Sequence, residues 1–110
     1  MSAVVNGVYI NGAWRAGETV LEVINPATEA TLAQVSVGDA NAVTEAVDAA
    51  SAAFVDWSKS TGRDRGALLR KVAQGVSEQR EQLMHVQSSN NGKPLFEAGI
   101  DVDDVIATFR

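Results

Sequence analysis

Three carboxylates lie close together near the carboxyl end of the sequence, at Asp101, Asp103 and Asp104. Residues three apart share one face of a helix, so Asp101 and Asp104 can act as a pair. Such a pair can bind a cation, either a metal ion or the ammonium group of a substrate. Alternatively, these acids are solvated side chains near a helix start, where the helix dipole favours negative charge. The spacing leaves both alternatives open.

Other residue types that often do chemistry are scarce. The chain has no cysteine, which excludes a thiol nucleophile, a disulfide framework and a zinc ribbon. Its one histidine, His85, lies among apolar and polar helix residues, and we interpret it as a structural or surface residue rather than a catalytic one. Gly92-Lys93-Pro94 lacks the second glycine and the Ser or Thr of a phosphate-binding loop. The residues alone therefore identify no catalytic group.

The composition limits the classes of function. A chain of 110 residues is one domain at most, and its formal net charge of -5 argues against nucleic acid as a partner. No run of eighteen apolar residues is present, so we expect no membrane span. The first residues lack the charged start and long apolar stretch of a secretory signal. The expected location is cytoplasmic.

The first 37 residues have the pattern of β-hairpins. Asn11-Gly12 is a two-residue connection that tolerates positive φ at both positions, which favours a type I′ turn. Asn25-Pro26 ends a later strand, because proline has no N–H for the ladder. The predicted strands are Val8–Ile10, Ala13–Arg15, Val20–Ile24 and Thr31–Val37.

Residues 39–110 have the pattern of three helices, which makes the predicted fold of this segment α+β. Asp39 is a good N-cap for the first helix. Gly75 interrupts the second, which indicates close packing or a tolerated weakness. Asn91 or Gly92 suits the left-handed residue that ends it. The predicted helices are 39–58, 61–87 and 95–109. The third pattern continues to Arg110, so we expect a truncated chain.

Several short phrases occur in a fixed order along the chain. In this order and at these intervals they resemble the amino-terminal part of the NAD(P)-dependent aldehyde dehydrogenase superfamily, closest to the betaine and aminoaldehyde dehydrogenase branch. The resemblance covers nearly the whole chain and about the first quarter of such an enzyme. The phrases are Tyr9-Ile10-Asn11-Gly12-Ala13-Trp14, Val23-Ile24-Asn25-Pro26-Ala27-Thr28, the Asp39 helix with Phe54 and Trp57, Arg65 with Leu68, Leu69 and Arg70, and Asn91-Gly92-Lys93-Pro94-Leu95.

The resemblance implies an α/β enzyme with a Rossmann-type cofactor domain, a catalytic domain and an oligomerisation arm. This segment would be the start of the cofactor-domain half. In the family, a cysteine thiolate attacks an aldehyde, hydride passes to NAD or NADP, and the thioester is hydrolysed. Those catalytic and cofactor-binding residues would lie beyond Arg110, so the 110-residue chain alone is expected to be inactive. The full protein is expected to be a homodimer or homotetramer acting on a small aldehyde.

The resemblance also implies two sites. Asp101 and Asp104 match acids that face the amino or trimethylammonium end of the substrate. Ile100 stands where that branch has an aromatic tunnel residue, which removes a cation–π partner. The carbonyl of Ile24 and the side chain of Asn90 match a structural monovalent-cation site, in which Asn90 replaces an aspartate.

A second hypothesis comes from a different class of protein. The chain could instead be a small non-catalytic α+β domain for interaction or oligomerisation. A fragment of an enzyme should expose the Ala-rich first helix when it is expressed alone, whereas an independent domain should unfold cooperatively as a monomer.

Overall fold

The computed structural model describes residues 7–110, in which four strands precede four helices. This order confirms the predicted α+β class. No helix in these residues is long and apolar enough to cross a membrane. The strands are β1 (Val8–Ile10), β2 (Ala13–Arg15), β3 (Thr19–Ile24) and β4 (Thr31–Val37). The helices are α1 (Ala40–Trp57), α2 (Gly62–Glu78), α3 (Arg80–Asn91) and α4 (Leu95–Thr108).

The residues fall into two compact units. The first contains residues 7–24 and 31–59, and the second contains residues 25–30 and 60–110. The first unit therefore holds all four strands and α1, whereas the second holds α2, α3 and α4 together with the loop that follows β3.

The strands of the first unit form two antiparallel pairs, β1 with β2 and β3 with β4. The β1–β2 turn has φ of 51° at Asn11 and 82° at Gly12, which confirms the predicted two-residue connection. Tyr9 lies opposite Trp14, and their ring centroids are 5.0 Å apart. The predicted strands are confirmed, and β3 begins one residue earlier than predicted, at Thr19.

Helix α1 begins directly after Asp39, the residue predicted to be its N-cap. The Asp39 side chain accepts a hydrogen bond from the Ala42 N–H at 2.7 Å, which satisfies one of the unpaired donors of the first turn. None of its residues is buried, and Val43, Val47 and Phe54 are 62%, 58% and 63% exposed. Its apolar stripe is therefore mostly uncovered by the described residues.

The prediction of a single helix over 61–87 is wrong, so the fold has four helices rather than three. The break falls at Gln79, which has φ of -105° and ψ of 12°. Its N–H donates to the Val76 carbonyl at 3.1 Å, a tighter closure than the i−4 bond of an α-helix. The change of direction lets both α2 and α3 pack against α4. Glutamine is not a helix breaker, so the sequence carries no signal of this turn.

The second unit has a small apolar core around α4. Ala73, Ala98, Val102 and Ile106 are at most 8% exposed. Val76, Met84 and Phe109 pack against the cluster of Ala73, Val102 and Ile106. Gly75 does not belong to this packing, because a Cβ there would meet no described atom within 4 Å. Of its two predicted explanations, the structure favours a tolerated weakness.

Candidate functional site

The connection between α3 and α4 is fixed by its own hydrogen bonds. Gly92 ends α3 with φ of 78°, which confirms the predicted left-handed residue, and its N–H donates to the Ser88 carbonyl at 2.9 Å. The Ser88 hydroxyl donates to the Lys93 carbonyl at 2.7 Å, and the Lys93 N–H donates to Asn91 Oδ1 at 2.8 Å. The backbone of Lys93 is thus held on both sides.

This connection contacts the loop that follows β3. A Cβ built on Gly92 would lie 3.1 Å from Pro26 Cγ. Asn25 shapes the loop: its N–H donates to the Ala30 carbonyl at 2.9 Å, and its Oδ1 accepts from the Ala27 N–H at 2.9 Å. The Asn-Pro and Gly-Lys-Pro phrases therefore meet in space, within the second unit.

Asp101 is held by two donors. Lys93 Nζ and Gln87 Nε2 both donate to its Oδ2 atom. The Asp101 side chain is 39% exposed and that of Lys93 is 32% exposed, so the ion pair is partly shielded from water. The hydrogen bond from Lys93, followed by that from Gln87, lowers the pKa of Asp101. Asp101 is therefore an ionised carboxylate that already has an ammonium partner.

Asp104 has different surroundings from Asp101. It is exposed on α4, one turn after Asp101 and on the same face, as the spacing predicts. Within residues 7–110, none of the ion pairs involves the Asp104 carboxylate. Ile100, one turn earlier, is 45% exposed. The face thus offers one paired carboxylate, one carboxylate without an ion-pair partner in the described chain, and an aliphatic side chain.

Asp103 is a structural residue rather than a third member of this face. Arg80 Nε lies 2.7 Å from Asp103 Oδ1, and Arg80 Nη2 lies 2.8 Å from Asp103 Oδ2. This two-point contact joins the start of α3 to α4. Hydrogen bonding to Arg80 lowers the pKa of Asp103, and the same hydrogen bond raises the pKa of Arg80. The sequence gives no sign of this pair, which spans 23 residues.

The two residues of the expected cation site lie in different units. Ile24 is the last residue of β3, and Asn90 lies in the last turn of α3. Ile24 has a carbonyl oxygen and Asn90 a side-chain amide oxygen, and both are neutral donors. Within residues 7–110, no group of three or more His, Cys, Asp or Glu side chains could hold a metal ion. Cation binding at Ile24 and Asn90 stays a prediction.

The family model for the aldehyde dehydrogenase family matches residues 14–110. The chain belongs to the aldehyde dehydrogenase family. Aminoaldehyde dehydrogenase 2 of Zea mays is 40% identical over 112 residues, which cover 94% of this chain and 22% of that protein. The peroxisomal aminoaldehyde dehydrogenase 2 of Pisum sativum is 36% identical over 110 residues, with the same coverage of 94% and 22%.

Solved aldehyde dehydrogenases have the same fold over this region. The crystal structure of betaine aldehyde dehydrogenase from Staphylococcus aureus in complex with NAD+ superimposes with a TM-score of 0.93 at 31% identity. The match covers 97% of this chain and 22% of that one. These findings confirm the resemblance, including its closeness to the aminoaldehyde and betaine aldehyde dehydrogenases. The chain spans about a fifth of the length of such relatives.

The contact of Lys93 with Asp101 is one of the features of this aldehyde dehydrogenase segment that the sequence did not predict. In the sequence, Gly92-Lys93-Pro94 marks the family and separates two predicted helices. One signal was available, because Lys93 is the basic residue nearest to Asp101 in the sequence, eight positions away. Gln87 gave no signal, since amides occur on most helix surfaces.

Proposed function

We propose that the full-length protein is an NAD(P)-dependent aldehyde dehydrogenase that oxidises an aldehyde to its carboxylic acid. These residues would form the start of its cofactor-domain half. Family membership over residues 14–110 is the observation that carries this proposal. The reaction needs a thiol nucleophile, and the 110 residues contain no cysteine. The nucleophile, its general base and the dinucleotide contacts are therefore assigned to the remainder of the protein. Bound NAD or NADP would supply the hydride acceptor.

The proposed substrate class is an ω-amino or betaine-type aldehyde. Two carboxylates on one face of α4, Asp101 and Asp104, suit a substrate that carries positive charge at the end remote from its carbonyl. The relatives named as aminoaldehyde and betaine aldehyde dehydrogenases support the same class. Ile100 offers apolar contact but no aromatic ring, so recognition of the charge would depend on the carboxylates.

The test uses the full-length protein with aminobutanal and its uncharged analogue pentanal. The production of NADH or NADPH is followed with each coenzyme. We expect both aldehydes to be oxidised, and the cationic one to have the higher kcat/KM. Failure to oxidise either aldehyde with either coenzyme would contradict the proposed activity. Equal kcat/KM values for the two aldehydes would contradict the proposed substrate class but not the proposed activity.

The role of the two acids is tested by replacing Asp101 and Asp104 together with Asn. Losing one net favourable charge contact typically costs about 1.4 kcal/mol, which is about tenfold in kcat/KM. The loss should affect aminobutanal more than pentanal. An equal loss for both aldehydes would mean that the acids act on folding or general geometry rather than on selectivity.

A structural monovalent cation at the Ile24 carbonyl and the Asn90 amide oxygen is also proposed. A neutral donor set suits K+ or Na+ better than a divalent ion, which prefers carboxylates. Thermal unfolding of the full-length protein in potassium, sodium or a large organic cation tests this. A cation-dependent melting temperature that Asn90→Ala abolishes would support it, and identical melting in all three salts would contradict it.

The proposed assembly is a homodimer or homotetramer, and the proposed location is the cytoplasm. Light scattering of the full-length protein tests the assembly, and a monomer would contradict it. Cell fractionation tests the location. Recovery in peroxisomes, the compartment that the name of the Pisum sativum relative gives, would contradict a cytoplasmic enzyme.

The alternative function is a non-catalytic domain for interaction or oligomerisation. In such a domain, the apolar residues of α1, including Val43 and Phe54, would form the surface that a partner protein covers. A cooperative unfolding transition of the monomeric 110-residue chain would support this alternative. Co-purification with a full-length aldehyde dehydrogenase subunit would identify the partner.

A further inference from the structure

Lys93 forms with Asp101 the same kind of contact that an aminoaldehyde would form. Its Nζ is a primary alkylammonium, and it donates to Asp101 Oδ2. The amino end of an ω-aminoaldehyde is also a primary alkylammonium, so it has the same charge and the same N–H donors as Lys93 Nζ. The contact demonstrates that this carboxylate accepts such a group in its present surroundings.

The position of Lys93 favours this internal contact. Its backbone is fixed by the Ser88 hydroxyl and by Asn91 Oδ1, at 2.7 Å and 2.8 Å. Gln87 Nε2 donates to the same Asp101 oxygen. A tethered ammonium has a high effective concentration, because it loses no translational freedom when it binds. A free substrate would therefore displace Lys93 only at a cost in affinity.

The charge of the α4 face differs from what its acidic residues alone indicate. Lys93 compensates Asp101, whereas Asp104 has no ion-pair partner among residues 7–110. Lys93 and Asp101 together are neutral. An incoming cation thus meets Asp104 as the uncompensated charge of the pair.

We propose that Lys93 sets the specificity of the full-length enzyme by compensating the charge of Asp101, which leaves Asp104 as the carboxylate that attracts a cationic aldehyde. This inference rests on the proposed function. Lys93 then lowers the preference for positively charged over neutral aldehydes. This preference is therefore not set by the number of carboxylates alone. Lys93 acts through Asp101 and is a positioning residue, not a catalytic one.

The test measures the ratio of kcat/KM for aminobutanal to that for pentanal in four full-length proteins. Lys93→Met frees Asp101 and should raise the ratio about tenfold, mainly through KM, because one repelling charge is lost. Asp101→Asn leaves the ammonium of Lys93 unpaired and should lower the ratio by a similar factor. Combining the two replaces a neutral ion pair with two neutral side chains. The double variant should therefore return to within about threefold of the wild-type ratio.

The double variant separates this inference from the simpler one, in which Asp101 binds the substrate directly and Lys93 plays no part. In that case the kcat/KM ratio of the double variant would stay as low as that of Asp101→Asn. That result, or an unchanged ratio in Lys93→Met, would overturn the inference.

Two controls test whether charge is the cause. Lys93→Arg keeps the charge and should keep the wild-type ratio. Lys71→Met removes an exposed lysine of α2 and should also leave the ratio unchanged. Lys93→Gln replaces Lys93→Met if the methionine variant does not fold.

If the wild-type protein oxidises neither aldehyde, the proposed function fails and this inference falls with it. If it oxidises both and the double variant stays low, only the inference fails.

Discussion

The ring of Pro26 lies against Gly92, so close that a Cβ on residue 92 would be 3.1 Å from Pro26 Cγ. These residues belong to the two phrases by which the sequence resembles aldehyde dehydrogenases, and they are far apart in the chain. Their contact gives the phrases a shared physical role. The loop after β3 and the loop before α4 support each other, and the second of these loops carries Lys93.

Replacing Gly92 with Ala should therefore destabilise the protein. Residue 92 has φ of 78°, which L-residues with a Cβ rarely adopt, and the added Cβ would press on Pro26. We expect a loss of about 1–3 kcal/mol in the free energy of unfolding, measured by denaturant titration of the full-length protein. The matched control is Gly75→Ala, at a helical position where an added Cβ would meet no described atom within 4 Å beyond its chain neighbours and its own helix backbone. This variant should gain about 0.5–1 kcal/mol in the free energy of unfolding. A change of the same sign in the free energy of unfolding of both variants would contradict this explanation.

Acid stability should depend on the contact of Arg80 with Asp103. Because Arg80 lowers the pKa of Asp103 in the folded state, the pair stabilises the fold above the unfolded pKa of about 3.9. This contribution is lost as the pH falls below that value, through the lower folded pKa. The wild-type protein should thus lose more stability than Arg80→Met between about pH 5 and pH 3. Unfolding midpoints over this range measure the difference. Arg63→Met, at an exposed position of α2, should follow the wild-type curve.

The small core of the second unit should be sensitive to loss of volume. Ile106 is 8% exposed and packs with Ala73 and Val102. Replacing it with Ala should cost about 2–4 kcal/mol in the free energy of unfolding, and replacing it with Val about 1 kcal/mol. Chemical denaturation of the full-length protein gives both values. Similar costs for the two variants would mean that the site collapses around the missing atoms.

The isolated 110-residue chain should bind a hydrophobic dye strongly and form no NADH from any aldehyde. Val43, Val47 and Phe54 are 58–63% exposed on one helix, and the chain has no cysteine to attack a carbonyl. Dye fluorescence and an activity assay check the two statements. The full-length protein, in which we expect α1 to be covered, serves as the comparison. Weak dye binding by the isolated chain would favour an independent domain.

Local signals predicted much of this fold. Asn11-Gly12 fixes its hairpin through backbone preference, Asp39 begins a helix through one side-chain bond, and Gly92 ends another through its left-handed conformation. Each of these features is decided within a few residues. For that reason, the strands, the first helix and the last connection could be predicted from the sequence.

The remaining features depend on groups that only the folded chain brings together. The break at Gln79 has no helix-breaking residue, and the helices on both sides of it pack on α4. Asp101, Asp103 and Asp104 have the same chemistry in the sequence. The folded chain gives Asp101 a lysine and Asp103 an arginine. Their separate roles therefore could not be predicted from spacing.

The two-point bond between Arg80 and Asp103 has a mechanical consequence. Helices α3 and α4 are joined at one end by the short connection through Gly92. At the other end of α3, Arg80 binds Asp103 of α4 through two hydrogen bonds. A helical hairpin fastened at both ends resists sliding of one helix along the other. The backbone that carries Asp101 and Asp104 is therefore held in place on both sides. We therefore expect a substitution such as Lys93→Met to change the charge beside Asp101 and to leave the positions of the two helices unchanged.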